Sequence, residues 1–69
     1  MKQIVTTITI NDGTNTGRQI TRTTNYLDGE ATSECFDWVD GGHATYYEWR
    51  QAEKGRYNDI DEEEFELNF

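Results

Sequence analysis

The chain has 69 residues, a net charge of −8, 33% hydrophobic side chains and one cysteine. At that length it is expected to form one small domain, 1–69, that buries only about 60% of its unfolded surface, so its core is thin. Strong acidity argues against direct nucleic-acid binding. Cys35 alone cannot make an intrachain disulfide, and no apolar run reaches the length of a signal-peptide core or a membrane span.

In chain order, residues 2–10 alternate, with Ile4, Thr6, Ile8 and Ile10 on one face and Val5, Thr7 and Thr9 on the other. These β-favoured types predict a strand. Asn11-Asp12-Gly13 signals a turn and Gly17 closes the loop, so residues 17–27 read as the second strand of a hairpin. Asp28-Gly29 is the next turn. Residues 32–40 fit either a strand, with Phe36 and Trp38 on one face, or a short helix beginning near Ser33. The strand is preferred, because Asp40-Gly41-Gly42 would turn it into a partner strand over 43–51, where Thr45, Tyr47 and Trp49 alternate with Ala44, Tyr46 and Glu48.

Residues 52–56 form a polar turn, and residues 65–69 alternate as a closing strand. A short helix over 59–66 competes with it, since Asp59 and Glu62 have the spacing of a capping box. The predicted fold is mainly β: a small antiparallel meander of four to five strands, with a short helix at 32–40 or 59–66 as the variant. Its expected core is Ile4, Ile8, Ile10, Ile20, Tyr26, Phe36, Trp38, Tyr47, Trp49, Phe65, Leu67 and Phe69. The exposed edges of so small a sheet, and its thin core, lead to the expectation of a homodimer or a partner.

Charge is divided unevenly. Residues 1–27 carry a net +2 and residues 28–69 a net −10. The acidic field attracts basic surfaces. Its densest stretch is Asp59, Asp61, Glu62, Glu63, Glu64 and Glu66. If this stretch is extended, alternate carboxylates stand about 6.6–6.8 Å apart on one face, close to two phosphate steps of about 3.4 Å along one DNA strand. Such a strand could occupy a basic groove in place of nucleic acid. The plain alternative is a solvated, self-repelling loop.

Other chemistries are weakly encoded. Asp59-x-Asp61-x-Glu63 resembles the opening of a calcium loop, but the sixth position is Glu64 where that loop requires glycine. Cys35 and His43 are too few for a zinc site, and acidic neighbours disfavour a Cys35 thiolate. Cys35 is expected to be a small, partly buried side chain. Tyr46 and Tyr47 would point to opposite faces of a strand, so at least one aromatic should be exposed and open to a protein partner.

By size and charge alone, the chain resembles the small inhibitors that phages and mobile elements encode, some of which mimic DNA. That likeness covers no motif. The leading expectation is a complete, cytoplasmic, non-catalytic anti-defence inhibitor with no cofactor or metal, contacting neither membrane nor nucleic acid directly. It would bind a basic nucleic-acid-binding protein through Asp59, Asp61, Glu62, Glu63, Glu64 and Glu66, with Asp37, Asp40, Glu48 and Tyr46 as auxiliary contacts. The alternatives are a structural module that dimerises or adds a strand at a sheet edge, and acidity serving a high-salt cytoplasm.

Overall fold

The computed structural model describes residues 1–11, 13–55 and 59–66. They form strands β1 (Lys2–Thr9), β2 (Gln19–Leu27) and β3 (Glu30–Trp38), helix α1 (Tyr46–Lys54) and strand β4 (Asp59–Glu66). The strands make one open antiparallel sheet in the order β3-β2-β1-β4. The protein is therefore mainly β, as its alternating segments predict. Among the described residues no helix is long and apolar enough to cross a membrane.

Local chemistry explains the two hairpins. Between β2 and β3 only Asp28 and Gly29 turn the chain, with φ of 52° and 83°. Positive φ at both positions matches the twist of the flanking strands. Glycine adopts it freely, and a short polar side chain tolerates it. Between β1 and β2 the Ile10 N–H donates to the Arg18 carbonyl (2.9 Å) and the Gly17 N–H to the Ile10 carbonyl (2.7 Å). Gly17, at φ 89°, supplies the extra residue of that closure.

The helix corrects the sequence reading. Most of 32–40 lies in β3 and all of 59–66 is β4, whereas 43–51, expected as a strand, contributes most of α1. Thr45-Tyr46-Tyr47-Glu48 is the reason. The Glu48 N–H donates to Thr45 Oγ1 (3.1 Å) and the Thr45 N–H to Glu48 Oε1 (2.9 Å), a reciprocal capping box. Good helix formers follow, Gly55 ends the helix, and Trp49 and Ala52, three residues apart, are its buried pair.

After β3 the chain doubles back. Trp38 N–H donates to the Gly42 carbonyl and Ala44 N–H to the Phe36 carbonyl, so residues 42–44 run beside the end of β3 before α1 crosses the sheet. The core is Ile8, Ile10, Ile20, Trp38, Trp49 and Ala52, with Phe36 and Ala44 packed against it. Nine helical residues span about 13 Å and eight strand residues about 26 Å, so α1 covers one end of one face. Ile4 and Tyr26 lie beyond its reach and are half-buried. Two expected core residues are exposed: Tyr47 because it points away from the sheet side of α1, and Phe65 because β4 places it on the face opposite the helix. Leu67 and Phe69 lie outside the described residues, as does most of the closing strand expected over 65–69.

Candidate functional site

β4 pairs with β1 without a register shift, Thr9 opposite Asp59 through Lys2 opposite Glu66. It is an edge strand, and six of its eight residues are acidic. Its backbone orientation follows from the far side of the sheet. Trp38 directs its N–H outward to Gly42, so the Trp38–Ile20 pair is not hydrogen-bonded between β3 and β2. Ile20 therefore bonds towards Ile8, and Ile8 bonds away from Ile60. By alternation, Ile60, Glu62, Glu64 and Glu66 turn their N–H and C=O groups to the outer side of β4, while Asp61 and Glu63 bond to β1.

The same alternation sorts the side chains. Ile60, Glu62, Glu64 and Glu66 share the helix-side face with Ile8, and Asp61, Glu63 and Phe65 share the opposite face with Val5 and Thr7. The acidic stretch is thus a ridge with carboxylates on both faces. Two members are tied to β1: Glu62 Oε2 accepts from Thr6 Oγ1 (3.3 Å), and Glu64 Oε1 lies 3.4 Å from Lys2 Nζ. Asp61, Glu63 and Glu66 make no side-chain hydrogen bond or ion pair among the described residues.

The uneven charge of the two sequence halves becomes a division between the centre and the edges of the sheet. The near-neutral half supplies central strands β1 and β2, and the acidic half supplies both edges. The three cations of residues 1–27 each pair with an acid of residues 28–69: Lys2 with Glu64, Arg18 with Asp40, and Arg22 with Glu34. Charged edges also oppose edge-to-edge aggregation, which is their structural role irrespective of any partner.

The expected auxiliary contacts are not brought to this ridge. Asp37, Asp40, Glu48 and Tyr46 belong to the β3 side and the helix start, three strand spacings or about 14 Å across the sheet from β4. Three of the four are engaged in local structure. Asp37 Oδ1 meets His43 Nδ1 at 2.8 Å. Glu48 completes the helix cap. Asp40 accepts from Arg18 Nε (2.9 Å) and Nη2 (3.0 Å), while the guanidinium lies 4.0 Å over the Trp38 ring. Tyr46 is exposed, with one edge against Phe36.

The hydrogen bonds from Arg18 hold the Asp40 carboxyl below the usual aspartate range, with the guanidinium charge acting in the same direction. A depressed carboxyl contributes stability that is complete above its unfolded-state value and lost as pH falls through its folded one. Asp40→Asn is therefore expected to lower the thermal midpoint at neutral pH and to leave the difference from the parent shrinking on the acid side. Parallel melts from pH 7 to pH 2 check this, and a difference that is constant with pH would contradict it.

Two further sequence ideas fail on geometry. Residues 59, 61 and 63 occupy alternate positions of an extended strand rather than a loop wound around one ion, and among the described residues no three metal-ligating side chains converge. Cys35 is exposed rather than partly buried, because it faces the open side of edge strand β3. His43 bonds to Asp37 and makes no hydrogen bond to Cys35. Sequence reasoning missed Arg22, which lies between Phe36 and Thr6 in the sheet. Its guanidinium is 5.3 Å from the Trp49 ring centroid, and its buried Nε is 3.5 Å from Glu34 without hydrogen-bond alignment. No family model matches the chain, and neither curated proteins nor solved structures give a match.

Proposed function

We propose that this protein is a non-catalytic acidic inhibitor that binds a basic nucleic-acid-binding protein and takes the place of nucleic acid in its groove. The observation that carries this reading is β4, an edge strand with six acids in eight residues held in fixed register on β1. On its helix-side face Glu62, Glu64 and Glu66 recur at about 6.7 Å, near two phosphate steps of about 3.4 Å. A row already extended on the sheet needs less ordering on binding than a disordered acidic segment, which favours affinity. Net charge of −8 adds long-range attraction to a cationic groove and faster association at low salt. The size and acidity agree with an anti-defence role for a phage or mobile element, acting in the cytoplasm.

Glu62→Gln combined with Glu66→Gln tests the reading, because both belong to the helix-side row, a glutamine oxygen can still accept from Thr6, and Glu66 has no partner among the described residues, so the fold should survive. Tagged protein is used to capture partners from host lysate, with elution by a salt gradient and by duplex DNA. The expected result is a nucleic-acid-binding protein released at moderate salt and displaced by duplex. Its capture should fall about tenfold or more in the double variant, since a close charge pair couples by about 1.5 kcal/mol or more. A partner retained equally by the variant, or indifferent to duplex DNA, overturns the proposal.

A further inference from the structure

We infer that the outer edge of β4 is a strand-addition site for an extended basic segment of the partner, a reading that rests on β4 being the contact surface. The two edges of the sheet differ in what they offer. β3 has a register shift opposite Asn25 and Tyr26, and its outward Phe36 carbonyl and Trp38 N–H are already bonded to Ala44 and Gly42. That edge is irregular and partly occupied, the usual protection against an added strand. β4 runs eight residues without a bulge or proline, and among the described residues nothing pairs with its outer side. Ile60, Glu62, Glu64 and Glu66 turn their N–H and C=O groups there, the periodic ladder that β-augmentation uses.

Charge selects the occupant. A second copy is disfavoured, because antiparallel pairing of two β4 strands about their centre sets Glu62 against Glu64, and cross-strand like charges destabilise. A basic strand meets the opposite situation. On one face its side chains lie beside Ile60, Glu62, Glu64 and Glu66, and on the other beside Asp61, Glu63 and Phe65. Ile60 and Phe65 are 62% and 42% exposed, so each offers apolar surface near one end of the strand. The complementary segment is therefore basic at successive residues, not alternate ones, with an apolar side chain opposite Ile60 and another opposite Phe65.

The seven-residue peptide KVKKKKI, blocked at both ends, has this pattern when aligned antiparallel from Glu66 to Ile60. A second peptide of the same sequence is N-methylated at its third and fifth residues. That removes two ladder donors facing β4 and keeps every charge. Titration of the full chain, followed by amide chemical shifts and calorimetry, is expected to show binding of the first peptide, shifts at Ile60, Glu62, Glu64 and Glu66, and at least tenfold weaker binding of the second. Glu64→Pro, which removes an outward N–H while sparing the β1 ladder, is expected to lose more affinity than Glu64→Gln. Equal binding of the two peptides overturns strand addition and leaves the acidic contact surface standing. Binding of neither overturns strand addition and counts against the acidic contact surface as well.

Discussion

Trp49→Ala is expected to leave the protein largely unfolded at room temperature. Trp49 is 1% exposed and is the largest buried side chain. It joins α1 to the sheet through Phe36, at 5.9 Å between ring centroids, and carries the Arg22 guanidinium on its face. Truncating a buried tryptophan to alanine costs about 3–5 kcal/mol. A chain of this length has about 3–10 kcal/mol of total stability at about 0.05–0.15 kcal/mol per residue, and its thin core places it towards the low end. Trp49→Phe should behave differently. Trp49 Nε1 is buried without a partner, so phenylalanine removes an unsatisfied donor worth about 1–3 kcal/mol while giving up ring volume. The expected order in thermal melts is parent, then Trp49→Phe within several degrees, then Trp49→Ala with no cooperative transition. A cooperative Trp49→Ala melt close to the parent would show that α1 does not hold the core.

The contrast between α1 and β1 shows what the sequence made legible. Ile4, Thr6, Ile8 and Ile10 alternate with β-branched neighbours, so propensity and period agree and β1 could be read locally. Asp28-Gly29 was equally local, because positive φ at both residues is a property of those residue types. Residues 45–49 satisfied two periods at once. Thr45, Tyr47 and Trp49 alternate as in a strand, while Thr45 and Glu48 have capping-box spacing, and in nine residues the period alone cannot decide. The cap was the stronger signal, since it satisfies two backbone donors that the strand reading ignores. β4 was hidden for another reason. A run of carboxylates has poor strand propensity, and the segment becomes a strand through its ladder with β1, more than fifty residues earlier in the chain. The same distance hid the state of the acids. Nothing near Asp40 in sequence announces that Arg18 engages it, and nothing near Glu63 announces that it has no partner among the described residues.

Raising sodium chloride from about 20 mM to about 0.5 M is expected to increase the thermal midpoint by about 5 °C or more. β4 contributes little to the core: Ile60 and Phe65 are largely exposed, and the strand is held mainly by its backbone ladder. Against that ladder stand same-face acidic neighbours, Glu62 with Glu64, Glu64 with Glu66, and Asp61 with Glu63. Two charges about 6.7 Å apart repel by about 0.6 kcal/mol in water, and salt at 0.5 M shortens the screening length to about 4 Å. Relieving most of these three terms yields about 1 kcal/mol after allowing for Lys2 beside Glu64, and each kcal/mol moves the midpoint by about 4–8 °C at this size. Hydrogen exchange should localise the effect, with the Asp61 and Glu63 amides, which bond to β1, losing protection at low salt before those of β2. A midpoint that falls with salt would mean that the ion pairs of Lys2, Arg18 and Arg22 outweigh the repulsion on β4. A basic partner supplies fixed positive charge where salt supplies mobile ions, so the repulsion that weakens β4 in the free protein is relieved on binding. The same carboxylates that make the strand marginal alone give it a reason to be stable in a complex, and linkage requires that such a partner stabilise the fold.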